Sequence, residues 1–476
     1  MAAEDSDPRP TPTRIVRRAD RIAATMEFDL RRFTDRLCRF RSTAGEEAAA
    51  TDWLRDRLDD LGFHTYTWEA DADLLATHPS FPDDPAAIDV DGRRSVAGVL
   101  ALGDAPLDPT DGGSEETGAD DYPTIVLNGH IDVVPAESES WDSDPFEPTR
   151  RGGDGDVNRR SGEAPADETL TARGATDMKS GVAACVGAAL DVREVVETGA
   201  RDLDLRVVVE AVAGEEDGGY GAATAALSNP YPFERDAAIV AEPTDLTPVI
   251  ACGGSLMARL RLTGRSAHAA ARWHGEDVLP RFERIRRTFM DLETERAETH
   301  AHPLYEEFPV PYPVVCGTVH AGSWASTVPA ALTAEFRIGV APGETVAEAE
   351  RAFRDRIDSV VADDPWLREH PPTFERFSVQ FEPCDIDPDE PIVDAVRAGA
   401  REAGVPDAAP AGATYGADSR HFVDAGIPAV LFGPGDIREA HYPNESIRWS
   451  EVERGREAIA AAVMAFAEVE GDGGER

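Results

Sequence analysis

Lysine is almost absent from this sequence. Lys179 is the only one in 476 residues, and every other base among the 47 Lys+Arg is arginine. Positive charge as a whole is scarce: 91 Asp+Glu leave a formal net charge of -44 at pH 7. A groove for nucleic acid needs clustered cations to meet the phosphates, and an anionic membrane surface attracts the same kind of patch. Neither partner is expected. No run approaches the ~18 apolar residues of a membrane span. The five cysteines (Cys38, Cys185, Cys252, Cys316, Cys384) are scattered, odd in number and never arranged as CxxC. They read as free thiols of a reducing compartment rather than a disulfide framework. Arg17-Arg18 is followed by the charged Ala19-Asp20-Arg21-Ile22 instead of an apolar export segment, so a cytoplasmic location is expected. Walker A and G-x-S-x-G patterns are also missing, which removes P-loop and nucleophile-elbow chemistry.

What remains is acidic but foldable. At 41% hydrophobic and 7% aromatic, the chain can bury a large core, and its length suits two or three domains at ~150 residues each. A very acidic, nearly lysine-free surface suits a protein kept hydrated in molar salt and repelling itself at low salt. A GC-rich codon bias toward Arg, Ala and Asp gives the same composition by another route.

The patterning divides the chain. Residues 1–26 are polar and proline-containing and read as a loose segment. Residues 27–254 open with an amphipathic helix pair over 27–61, in which Phe33, Leu37, Trp53, Leu54 and Leu58 recur at helical spacing. Strands are expected at Ser95–Leu102 and Pro123–Val134. Acidic, aperiodic stretches at 103–121 and 150–167 read as surface insertions. Beyond them helix (Met178–Glu197), strand (Asp204–Val212), helix (Gly219–Ser228) and strand (Ala237–Ala241) alternate. Apolar strands separated by helices indicate a parallel sheet buried on both faces. From 255 to 384 the style changes to alternating strands in β-α-β-β-α-β order, ending in a strand near Phe374–Phe381, which predicts a small antiparallel sheet with two helices. Residues 385–476 return to helix, strand (Ala429–Phe432) and a long final helix. The expected fold is α/β: a catalytic domain with a mixed, mainly parallel sheet, interrupted by a smaller α+β, ferredoxin-like lid.

Residues able to do chemistry follow the predicted strands. His130 and Asp132, in Asn128-Gly129-His130-Ile131-Asp132, are two apart and share a face of their strand, as suits a metal ligand and its orienting partner. Asp177 precedes the helix from Met178, where a plain dipole-favoured carboxylate would also sit. Glu215 and Glu216, in Gly214-Glu215-Glu216-Asp217, follow a buried strand, and adjacent carboxylates there are costly without a cation. An acidic solvated turn is the ordinary alternative. Glu242 and His441 follow two further strands. Taken singly, each has a structural explanation. Together they stand at the carboxyl ends of neighbouring parallel strands, which share one crevice. Two histidines with several carboxylates make a hard-to-borderline cation site, best suited to zinc, with cobalt or manganese as substitutes.

The motifs NGHIDVVP, ARGATDMKSG, AGEEDGG, AEPT, GRSAHAA and GPGDIREAHYPNE, in this order, resemble those of the M20 metallopeptidase family. That family includes acetylornithine deacetylase and succinyl-diaminopimelate desuccinylase. The resemblance runs from about residue 27 onward and implies two divalent ions. His130 and Glu242 would hold one, Glu216 and His441 the other, and Asp177 would bridge them. Asp132 would orient His130, and Glu215 would be the general base. It further implies a lid that also forms a homodimer, with His268 acting from the partner subunit on the oxyanion and Arg337 gripping a substrate carboxylate. His268 is otherwise an ordinary surface histidine, and Arg337 a strand arginine paired with surface acids. Ser326-Thr327-Val328-Pro329 departs from relatives that carry Asn before the Val-Pro, which removes one expected substrate hydrogen bond.

The implied function is hydrolysis of the amide of a small N-acyl amino acid or short peptide. Acetylornithine leads the candidates, succinyl-diaminopimelate follows, and a dipeptidase or carboxypeptidase is the near alternative. A catalytically silent metal-binding protein is a rival of another class. It is disfavoured because Glu215, the proposed ligands and His268 are all in place.

The charge imbalance makes a direct prediction. The unfolding midpoint should rise steeply as KCl increases from tens of millimolar to molar, because screening relieves a charge of -44. A midpoint indifferent to salt would refute salt adaptation.

Overall fold

The computed structural model describes residues 28–109, 122–152, 167–405 and 409–473. The segment expected to be loose at 1–26 lies outside these residues. So do 110–121 of the first expected insertion and 153–166 of the second.

In chain order the strands are β1 (His64–Glu69), β2 (Arg94–Leu102), β3 (Thr124–His130), β4 (Thr149–Arg151), β5 (Thr169–Thr171), β6 (Leu205–Val212), β7 (Ala237–Pro243), β8 (Val249–Cys252), β9 (Gly254–Thr263), β10 (Val314–Ala321), β11 (Ala331–Val340), β12 (Thr373–Arg376), β13 (Cys384–Asp385), β14 (Ala411–Ala413), β15 (Ala429–Gly433) and β16 (Ser446–Arg448). The large sheet runs β1-β2-β6-β3-β7-β15-β8-β13, with β14 beside β8. Its central strands β6, β3, β7 and β15 are parallel, and β1, β2 and β13 pair antiparallel toward the margins. The architecture is thus the mixed, mainly parallel α/β sheet that the apolar strand runs imply.

Why the central strands lack polar alternation is visible in their packing. On β3, Ile125 and Leu127 enter one core while Val126 enters the other. Both faces are covered, so both must be apolar. One cover consists of the helices Leu30–Cys38, Ala48–Asp60, Lys179–Glu197, Pro391–Glu402 and Trp449–Gly473. Gly181 lets the third of these lie close on β7, since a Cβ there would stand 2.3 Å from the carbonyl oxygen of Ala241. Lys179 opens that helix fully buried, its Nζ donating to the Phe40 carbonyl at 2.7 Å. Burial lowers its pKa to about 8. The only lysine of the chain is therefore not on the surface.

The second sheet has four antiparallel strands in the order β10-β11-β9-β12. With the helices Leu279–Thr299 and Val346–Asp363 it gives the β-α-β-β-α-β, ferredoxin-like unit expected from the sequence. One face is apolar, packing Leu260, Phe336 and Ile338 against Phe282, Phe289 and Phe353. The other face carries ion pairs such as Arg259–Glu335 at 2.8 Å. The chain leaves the large sheet after Cys252 and returns at Cys384, and these two residues are directly paired across β8 and β13.

Local expectations change in several places. The strand read at Pro123–Val134 ends at His130, so Asp132 lies just beyond it and not on the same strand face. The strand read at Phe374–Phe381 stops at Arg376, and Ser378 adopts a φ of +59°, a left-handed turn that no strand continues through. β1 was not expected. Its half-exposed, polar-rich His-Thr-Tyr-Thr-Trp-Glu lacks the apolar run that marks the interior strands.

Phe289 is fully buried among the rings of Phe336, Phe353 and Phe374, with centroids 4.9–5.8 Å away. Phe289→Ala is expected to cost about 3–5 kcal/mol in denaturant unfolding of the smaller unit. A loss below about 1 kcal/mol would mean that this ring cluster does not hold the unit together.

Candidate metal centre

The carboxyl ends of β6, β3, β7 and β15 lie along one edge of the large sheet, and the candidate residues gather there. His130 is the last residue of β3 and is almost fully buried. Its Nε2 lies 2.9 Å from Asp177 Oδ1, and its Nδ1 donates to the main-chain carbonyl of Asp132 at 2.9 Å. The Asp132 carboxylate is 3.7 Å from that ring. Its firm contacts are elsewhere: Oδ1 accepts from Gly214 N at 2.8 Å and Oδ2 from Glu216 N at 3.0 Å. Asp132 thus orients His130 through its backbone and fixes the Gly214–Glu216 turn through its side chain. Gly214 turns there with a φ of +84°, a conformation that glycine adopts without penalty.

Two donor groups result. His130, Asp177 and Glu242 form one, and Asp177, Glu216 and His441 the other, each with its ligand atoms within 4.8 Å of one another. Asp177 belongs to both. His441 Nε2 lies 3.4 Å from Asp177 Oδ2 and 3.0 Å from Glu216 Oε2. The first group is buried, while the His441 side chain is 54% exposed, so the approach from solvent is on its side. Every donor is an imidazole nitrogen or a carboxylate oxygen, with no thiolate, which fits a hard-to-borderline divalent cation. Glu215 is buried and belongs to neither group.

The electrostatics are those of an anion cluster. Burial raises Glu215 well above the usual carboxylate range, and Asp418 and Glu242 push it the same way. Burial also raises Glu242, to about 8, against the pull of His130. Asp177 is held low: burial opposes this, but contacts with His130 and His441 outweigh it. Contacts with Asp177 and Glu216 in turn raise His441 to about 10.

The remaining expected residues lie apart from these groups. Arg337, on β11, is half-buried and donates to the Thr414 carbonyl at 3.3 Å, reaching from the small sheet to the loop after β14. Its guanidinium has no carboxylate partner among the described residues. His268 is exposed on the smaller unit, where its Nδ1 accepts from Ala270 N at 3.1 Å. It contacts none of the clustered donors.

Two further residues were not singled out from the sequence. Asp418 is 1% exposed, and neither of its oxygens accepts a hydrogen bond from a described residue. Burial brings its pKa up to about 7. Glu445 is fully buried and accepts from four donors. Oε1 takes Thr176 N at 2.8 Å and Asp177 N at 3.0 Å, and Oε2 takes Arg173 Nη1 at 2.7 Å and Gly174 N at 3.1 Å. Its place in the AHYPNE motif was the one available signal. In a chain with 91 acids, nothing in the letters separates a buried carboxylate from a surface one.

Such a cluster, at the carboxyl edge of an α/β sheet with a small inserted unit, is that of a metal-dependent hydrolase. The chain belongs to peptidase family M20/M25/M40, whose model matches residues 126–465. It is therefore a hydrolase of a family that binds divalent metal ions. It is similar to N-formyl-4-amino-5-aminomethyl-2-methylpyrimidine deformylase of Bacillus subtilis, at 25% identity over 83% of this chain and 84% of that protein. It is also similar to acetylornithine deacetylase of Yersinia pseudotuberculosis, at 27% identity over 72% of this chain and 79% of that one. Among solved structures, an M20 family metallo-carboxypeptidase from Sulfolobus solfataricus shares the fold, with a TM-score of 0.65, 13% identity, and coverage of 93% of this chain and 100% of that one.

The raised pKa values of His441, about 10, and Glu242, about 8, both bear on the pH dependence of cation uptake. A ligand must be neutral imidazole, and His441 is protonated below about 10. Protons therefore compete with the cation, and Zn2+ affinity is expected to climb with pH through the neutral range. Calorimetry in buffers of different ionisation enthalpy should show proton release on binding at neutral pH. Uptake with no proton release would refute this assignment.

Proposed function

We propose that the chain hydrolyses the amide bond of an N-acyl amino acid, with acetylornithine the first candidate and succinyl-diaminopimelate the second. The observation that carries this reading is the pair of His-carboxylate groups sharing Asp177, with the buried Glu215 beside them but outside both. His130, Asp177 and Glu242 would hold one divalent ion and Asp177, Glu216 and His441 the other, zinc being the best fit and cobalt or manganese able to replace it. Two such ions, when bound, would lower the pKa of a water and polarise the substrate carbonyl. Glu215, raised by its burial, takes the proton of the attacking water and delivers it to the departing nitrogen. Asp132 keeps His130 and the Glu216 turn in register. Arg337, a half-buried guanidinium without an acidic partner, suits a planar substrate carboxylate. The exposed position of His268 fits a homodimer in which His268 of the partner subunit meets the developing oxyanion. The names of two relatives, a deformylase and a deacetylase, support acyl removal from nitrogen. The carboxypeptidase neighbour keeps peptide cleavage as the alternative. The reading also includes a cytoplasmic, salt-adapted setting.

Amine release from a panel of N-acyl amino acids and dipeptides, in molar KCl with Zn2+ or Co2+, tests this directly. Preferential turnover of one acylated diamino acid is expected. Glu215→Gln should lower kcat about 10²–10⁴-fold while leaving metal binding intact. Dipeptide cleavage instead would move the substrate to the peptidase side. Full activity in Glu215→Gln would remove its role as base.

A further inference from the structure

Asp177 is the one residue common to both donor groups, so any error in its position is felt at both. Yet the stretch that carries it, residues 172–178, is neither helix nor strand, and the helix that follows begins only at Lys179. The turn closes one main-chain bond of its own, Ala175 N to the Ala172 carbonyl at 3.1 Å, which leaves other amides to find partners elsewhere, and buried amides without partners are costly. Three of these amides find their partner on one side chain. The two oxygens of Glu445 gather the amides of Gly174, Thr176 and Asp177 together with the guanidinium of Arg173, which packs its cation over the Trp141 ring.

Glu445 also lies four positions after His441, on the short segment that leads into β16. That segment is sharply folded, with His441 at a φ of +61° and Asn444 at +59°, and Asn444 Oδ1 accepts from Asp142 N at 2.9 Å. Thr176 Oγ1 donates to the Ser446 carbonyl at 2.8 Å, and Ala172 N to the Glu445 carbonyl at 3.1 Å. The 441–446 segment and the 172–177 turn are therefore stitched together by side chains and main chain, with Glu445 at the centre. One strand of peptide presents His441 to the cluster and grips the turn that presents Asp177.

We propose that Glu445 is a positioning residue for the two-cation site, locking Asp177 and His441 to each other so that the shared carboxylate is placed before any cation arrives. This rests on the functional reading above. It adds a residue that touches neither cation nor substrate. A carboxylate is needed because three N–H groups and a guanidinium converge on it. The amide of Gln would set an NH2 against donors.

The test is titration with Co2+, whose visible absorption reports its coordination geometry, together with hydrogen exchange. Glu445→Gln is expected to keep its far-UV circular dichroism while at least one of two Co2+ equivalents binds about 10–100-fold more weakly with an altered spectrum. A folded variant with wild-type affinity and spectrum overturns the proposal. Hydrogen exchange on the metal-free wild type decides the matter even if the variant does not fold. The amides of Gly174, Thr176 and Asp177 should already exchange as slowly as those of the Lys179–Glu197 helix. Fast exchange that slows only on adding Co2+ would show that the cation, not Glu445, orders the turn. A wild-type chain that takes up no Co2+ overturns the functional reading and with it the purpose given to Glu445. Binding by the wild type, unchanged in the variant, overturns the second alone.

Discussion

Like charges forced together out of water govern this molecule. Asp177, Glu215, Glu242 and Asp418 are each 9% exposed or less, and all stand at one edge of the large sheet with Glu216 beside them. Their mutual repulsion in a poorly solvated site is severe, and burial alone would leave them protonated. Two imidazolium-prone histidines and the buried Arg420 supply what compensation the chain itself offers. The parallel sheet exists, in effect, to hold that concentration of negative charge against its tendency to fly apart. The apolar strands behind it and the helices covering both faces provide the rigidity, and short turns carry the chemistry.

That division of labour explains which features could be read from the letters alone. β3, β6, β7 and β15 are largely apolar, so each advertises itself as a run, and the residues that follow each run are candidates for the crevice. That rule singled out His130, the Glu215/Glu216 pair, Glu242 and His441 without any distance; which of the two glutamates joins a donor group came only with the family resemblance. The small sheet was legible for the opposite reason: its strands alternate, and its two helices carry one apolar stripe each.

What was not legible depends on directions that spacing does not encode. The two-residue offset of His130 and Asp132 suggested ring-to-carboxylate contact. The structure turns the carboxylate toward the amides of Gly214 and Glu216 and leaves the ring to a carbonyl. Asp418 and Glu445 are single acids in an acidic chain, and only burial separates them from the rest. β1 is half-exposed and polar, and it joins the sheet because β2 offers it an edge, not because its own sequence demands it.

The pairing of Cys252 with Cys384 has a consequence for how such a molecule is assembled. Directly opposed residues on antiparallel strands have Cα atoms about 5 Å apart, so the peptide departs from the large sheet and comes back at nearly the same point. The whole intervening stretch is a cassette with adjoining ends. Cassettes of this kind can be lengthened, exchanged or excised and bridged by a short turn without rethreading the host. Selection can therefore remodel the inserted unit while leaving the charge cluster of the host sheet as it stands.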